Sequence, residues 1–139
     1  MYHQYAPFFS EFRHKLLSGE SLLYSWDVGM GVNFAALYAY YLASPFNWLL
    51  LLCPSSLIIE FMTYMIVFKS GLAGLSMAWY LKKHTGSQKF GACYFGVFYA
   101  LSGYMAAYSW NIMWLDCIVL LPLILYGLER LVREKKGLL

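Results

Sequence analysis

Long stretches of this chain are apolar with no polar partner position. Phe90 to Leu115 run 26 residues without a charge, Val28 to Ile59 carry none, Leu57 to Leu81 carry only Glu60 and Lys69, and Cys117 to Leu128 are again uncharged. About 20 apolar residues rising ~1.5 Å each cross a hydrocarbon core of ~30 Å. The pattern predicts an all-α, helical integral membrane protein. Three transmembrane helices are expected at about 57–81, 90–108 and 112–132, preceded by interfacial and broken helices over 1–56.

The N-terminal part has a different rhythm. Phe8, Phe9, Phe12, Leu16 and Leu17 recur at helical spacing with Glu11, Arg13, His14 and Lys15 between them. Pro7 suits a helix start and Ser18-Gly19 a stop. A helix of about 10 residues is too short to span, and it is expected to lie in the membrane interface with its apolar face down and its charges wet. Ser25 to Gly31 read as a turn-rich connection. The apolar run 33–52 is interrupted by Ser44-Pro45-Phe46-Asn47, which favours two short half-helices, re-entrant or interfacial, over one kinked span.

Composition sharpens the class. Of the 139 residues 61% are hydrophobic and 12% charged, with a net charge of +3; a soluble domain carries about 25% charged residues. The positive charge is clustered in the linker Lys82 to Lys89 and the tail Arg130 to Lys136. Both clusters are expected on the cytoplasmic side, with 1–56 outside, and no nucleic-acid signature accompanies them. Cys53, Cys93 and Cys117 lack metal-ligand spacing and read as small buried hydrophobes. No secretory signal follows Met1, although the topology would carry about 55 residues across the membrane. The chain is therefore expected to be one part of a longer architecture.

Few charges fall inside the predicted spans. Lys69 lies 13 residues before Lys82, and Asp116 lies 13 before Glu129. Each is thus about 20 Å from its basic end by helical rise, so the two should meet at one depth. An unpaired charge there costs at least a few kcal/mol. Two readings stay open: a bridge that only holds the bundle, or a polar cavity in which Lys69 meets a phosphate and Asp116 acts on a substrate or, more weakly, a divalent metal. Glu60, near a span end, reads as a solvated interfacial carboxylate. His3, Glu11, Arg13, His14 and Asp27 are further polar candidates on the outer side, with Asp27 and Glu11 added to Asp116 as possible catalytic carboxylates and Arg13 and His3 as anion binders. Trp110, Asn111 and Trp114 flank the outer mouth, as belt anchors or as a sugar-facing pair. Gly71, Gly74, Gly91 and Gly96 are expected to permit close helix packing.

Several strings are similar to those of the YfhO family of bacterial membrane proteins. They are Tyr2-His3-Gln4-Tyr5-x-Pro7-Phe8, Ser25-Trp26-Asp27-x-Gly29-Met30-Gly31-x-Asn33, Tyr40 to Asn47, Lys69 to Gly74, Leu101 to Met105 and Ser109 to Asp116. The resemblance implies a long multi-pass protein akin to glycosyltransferases of the C superfamily. Such enzymes use polyprenyl-phosphate-linked sugars on the outer face, here for a cell-envelope polymer such as lipoteichoic acid. It also implies a first transmembrane helix and an acidic residue ahead of Tyr2, neither of which this chain contains. The chain is then an N-terminal fragment, completed by a C-terminal half, or a non-catalytic membrane module such as a lipid-carrier binder, flippase part or scaffold. The resemblance assigns no role to Lys69 or Asp116.

Overall fold

A computed structural model of the protein describes residues 3–86 and 90–134. Lys89 of the basic linker and the tail beyond Glu134 lie outside the described residues. The chain divides into two compact units, Met1–Met65 and Ile66–Leu139.

The first unit opens with α1 (Tyr5–Ser18), which ends where Gly19 adopts φ 72° and its N–H returns to the Lys15 carbonyl. Pro7 is the third residue of α1 rather than its first, a position that also lacks an intrahelical acceptor. The apolar face of α1 does not turn outward to a bilayer, as the sequence suggested. It packs on aromatic rings of the same unit: Tyr5 on Tyr41 at 5.7 Å, Phe12 on Tyr38 at 5.3 Å and on Trp48 at 5.9 Å, and Phe9 on Phe61 at 6.1 Å. Aromatic pairs of this kind add roughly 0.5–1.5 kcal/mol each beyond area burial, and the short helix gains a partner that an isolated interfacial helix would lack.

A small antiparallel ribbon departs from the all-helical expectation. Strands β1 (Tyr24–Ser25) and β2 (Val32–Asn33) pair Tyr24 with Asn33 and Ser25 with Val32. The intervening turn needs left-handed backbone at Gly29, Met30 and Gly31, and at Gly31 a side chain would collide with the Tyr24 ring. Asn33 then caps α2 (Phe34–Leu37), its Oδ1 accepting from the Ala36 N–H at 3.2 Å. α2 runs on as a π-turn over Tyr38–Leu42, and a 3-10 segment follows over Pro45–Leu52. The two pieces, Phe34–Leu42 and Pro45–Leu52, are bent by 103°. The broken reading of 33–52 is what the backbone adopts, with the break at the residues preceding Pro45, where helix is disfavoured.

After a 3-10 turn at Ser55–Leu57 comes α3 (Ile58–Thr85). The second unit comprises its part from Ile66 together with α4 (Gly91–Ala100), α5 (Gly103–Tyr108) and α6 (Ile112–Glu134). Among the described residues two helical segments, Ser55–Thr85 and Ile112–Arg133, are long and apolar enough to cross a membrane, or three spans if the bent pair counts as one. The expected span over 90–108 is not continuous. It breaks at Leu101-Ser102 into helices of 10 and 6 residues, with Ser102 in extended backbone.

The break leaves carbonyls without intrahelical donors, which a membrane interior tolerates only when something else supplies them. Ser70 on α3 does so, its hydroxyl donating to the Ala100 carbonyl at 3.0 Å. A matching repair occurs on α6. Pro122 sits inside that helix and has no N–H for the carbonyl four residues back, that of Ile118. The Tyr99 hydroxyl of α4 donates to that carbonyl at 2.9 Å. Tyr99→Phe is therefore expected to lower unfolding stability by about 1–3 kcal/mol in mixed-micelle titrations. Pro122→Ala, which restores the N–H, should remove most of that loss; an unchanged penalty in the double variant would show that Tyr99 acts otherwise.

Small residues let α4 approach α3. A Cβ on Gly96 would stand 2.6 Å from the Gly74 carbonyl oxygen and 2.9 Å from Ala78 Cβ, and one on Gly74 would stand 3.0 Å from the Gly96 oxygen and from Ala100 Cβ. Gly74-x-x-x-Ala78 thus faces Gly96-x-x-x-Ala100, the small-residue spacing of close helix crossings. Gly71 and Gly91 meet nothing within 4 Å, so only half of the glycines expected to mediate packing do so.

Candidate functional site

The second unit seals one cation between two helices. Lys69 on α3 has no exposed surface, and its ammonium donates to Asp116 Oδ2 at 3.0 Å and to the Ile112 carbonyl at 3.2 Å. Asp116 and Ile112 lie one turn apart at the start of α6, so the lysine reads a single helical turn. The helices are parallel and touch again below: Trp79 stacks edge-on against Tyr126 at 4.8 Å, and His84 Nδ1 lies 2.8 Å from Glu129 Oε2. The depth argument from sequence thus finds its pair where helical rise places it.

Asp116 is not fully used. Its Oδ2 holds the lysine, while its Oδ1 is buried and has no hydrogen-bond partner among the described residues. A buried acceptor without a donor costs about 1–3 kcal/mol, so this oxygen is available to a hydroxyl or a water. Asn111 is buried one position before α6, and Trp110 and Trp114 are about half exposed beside it. The Trp110 indole N–H donates to the Ala107 carbonyl at 3.2 Å. A cavity of about 320 Å³ opens next to the α4–α5 break, lined by Ile66, Ser70, Leu101, Met105 and Ser109 among others.

The remaining candidates belong to the first unit, and most have local work. Glu11 and Lys15, expected on a wet helix face, are buried. The Ser25 hydroxyl donates to Glu11 Oε1 at 2.5 Å, and the Lys15 ammonium lies 3.6 Å from that oxygen, 3.2 Å from Glu20 Oε2 and 5.7 Å above the Phe34 ring. This network ties α1 to β1, which accounts for two charges the sequence left as candidate ligands. Arg13 Nε donates to the Cys53 carbonyl at 2.6 Å, closing the unit from α1 to its far end. His3, His14 and Asp27 are exposed. Glu60 is exposed in the first turn of α3. Cys53 is half-buried, and Cys93 and Cys117 are exposed on their helices rather than buried as expected. The Tyr5 hydroxyl, buried without a partner among the described residues, is pushed up to about 12 by burial and, secondarily, by Tyr41 and Tyr40.

A divalent metal finds poor support in these side chains. No three His, Cys, Asp or Glu residues converge among the described residues, and the ammonium 3.0 Å from Asp116 Oδ2 opposes a second cation there.

Helices of spanning length, large apolar side chains exposed along them and a charged pair enclosed between two of them define a helical membrane protein. Its polar interior is confined to a few residues. The chain belongs to the YfhO family: the sequence profile described as bacterial membrane protein YfhO matches residues 1–139. No curated protein and no solved structure gives a significant match.

Proposed function

We propose that the chain is part of a membrane glycosyltransferase-like protein. It passes a sugar from a polyprenyl-phosphate donor to a cell-envelope polymer such as lipoteichoic acid, on the outer face of the bacterial plasma membrane. Residues 1–56 face outward in this reading, while 82–89 and 133–139 are cytoplasmic. The observation that supports it best is the buried Asp116 carboxylate, with one oxygen held by Lys69 and the other unpartnered.

In the reaction an acceptor hydroxyl attacks the anomeric carbon. A new carbon–oxygen bond forms there as the bond to the donor phosphate breaks, and polyprenyl phosphate leaves with the electron pair. The hydroxyl proton passes to a carboxylate, and a nearby cation offsets the charge on the departing phosphate. In this reading Asp116 takes the first task and Lys69 the second. Asp27 is the second carboxylate to test, since Glu11 is already held by Ser25 and Lys15. Trp110 and Asn111 border the sugar, and the cavity beside the α4–α5 break takes apolar carrier. Arg13 and His3 are separate anion-binding candidates within the first unit.

The reading is tested by transfer of radiolabelled sugar in reconstituted vesicles, with the C-terminal half supplied. Asp116→Asn is expected to lower transfer at least about 100-fold, the usual scale for a lost acid–base group, while donor binding persists. Unchanged transfer would remove Asp116 from the chemistry. One observation favours a second reading, a non-catalytic carrier-binding module or scaffold: Lys69 is already satisfied by two acceptors and fully buried. Donor binding with no transfer by the completed protein would support that module.

A further inference from the structure

We infer that the cleft between the C-terminal ends of α3 and α6 binds the phosphate of an anionic phospholipid headgroup. The cleft has a volume of about 120 Å³ and is lined by Lys83, Tyr126, Glu129, Arg130 and Arg133. Its size suits one phosphate group rather than a whole lipid. The candidate spans end at Thr85 and Arg133, which puts it at the level of lipid phosphates instead of in the hydrocarbon.

The charge balance of this end is cationic. In sequence Lys82, Lys83, Arg130 and Arg133 stand against Glu129 and Glu134, for a balance of +2 with His84 neutral. Lys135 and Lys136 come after Glu134. The Glu129 carboxylate is occupied on both oxygens, by His84 Nδ1 at 2.8 Å and by Arg133 Nη1 at 2.8 Å. It therefore holds the His84 ring and the Arg133 guanidinium in place at the edge of the cleft. Arginine presents a planar fork suited to phosphate oxygens. The Trp79–Tyr126 pair lies deeper along the same two helices, where interfacial aromatics are favoured. A headgroup phosphate bound here would tie the helix ends to one leaflet, independently of any sugar transfer.

The same oxyanion chemistry is offered by free phosphate, so the experiment separates the two. The full chain in neutral detergent is titrated by calorimetry with dioctanoyl phosphatidylglycerol, dioctanoyl phosphatidylcholine and inorganic phosphate. Phosphatidylglycerol is expected to bind at least about tenfold more tightly than either of the others, and Lys83→Gln and Arg130→Gln should each weaken it about fivefold. Lys82→Gln, an exposed charge outside the cleft, should change it by less than about twofold at physiological salt. Equal affinity for the two lipids, an equal loss in Lys82→Gln, or inorganic phosphate binding as tightly as phosphatidylglycerol would each overturn the proposal. Far-ultraviolet circular dichroism of each variant confirms that helix content is retained.

Discussion

Lys69→Met is expected to destabilise the second unit by about 3–5 kcal/mol, the usual cost of removing one partner from a buried ion pair. Methionine keeps most of the lysine volume, so the loss reports the charge. Asp116 is then left with neither oxygen partnered, in a place where water cannot easily replace the ammonium. Lys69→Ala adds an unfilled volume to the same electrostatic loss and should cost more. Pairing Lys69→Met with Asp116→Asn should recover part of the stability, because the second change removes the uncompensated charge. Mixed-micelle unfolding of the two single variants and the double gives the coupling, expected at about 1–3 kcal/mol. Strictly additive losses would mean that the 3.0 Å contact contributes nothing as a pair.

The second large effect is one of sign. Replacing a glycine inside a helix by alanine usually stabilises by about 1 kcal/mol, and Gly71→Ala, with open space around it, should follow that rule. Gly96→Ala should do the reverse and lose about 1–3 kcal/mol. Its new methyl would meet the Gly74 carbonyl oxygen at 2.6 Å and Ala78 Cβ at 2.9 Å, and a backbone carbonyl on a neighbouring helix cannot swing aside. Gly96→Leu, with no possible accommodation in that crossing, should separate α4 from α3 altogether. The check is the unfolding midpoint of the three variants under one set of conditions. A stabilising Gly96→Ala would contradict the close crossing.

These two cases mark what could be read along the chain and what could not. The Lys69–Asp116 pair was legible because membrane helices rise at a fixed rate and buried charges need partners, so two counts of 13 residues located a contact between positions 47 apart. The break before Pro45 was legible for a local reason, the conformational limits that proline imposes. The break at Leu101-Ser102 was not. Both residues suit an apolar span, and what permits the interruption is a hydroxyl from Ser70 on another helix. The Tyr99 hydroxyl that serves the Ile118 carbonyl is hidden in the same way, since the need arises at Pro122 and the remedy lies more than twenty positions earlier. Glu11 and Lys15 were misplaced because amphipathic spacing treats every charge as wet. Their burial depends on Ser25, Glu20 and Phe34 arriving from outside α1. Which of Gly71, Gly74, Gly91 and Gly96 carries the crossing was equally beyond a spacing rule, because it depends on which helix faces meet.

Helices α3 and α6 are fastened at their upper contact by Lys69–Asp116 and at their lower one by His84–Glu129, about 22 Å away along the axis. Fastened twice, the two rods cannot twist or slide past each other at one end alone. The pair of helices is therefore held at two levels, once within the apolar spans and once at their basic ends.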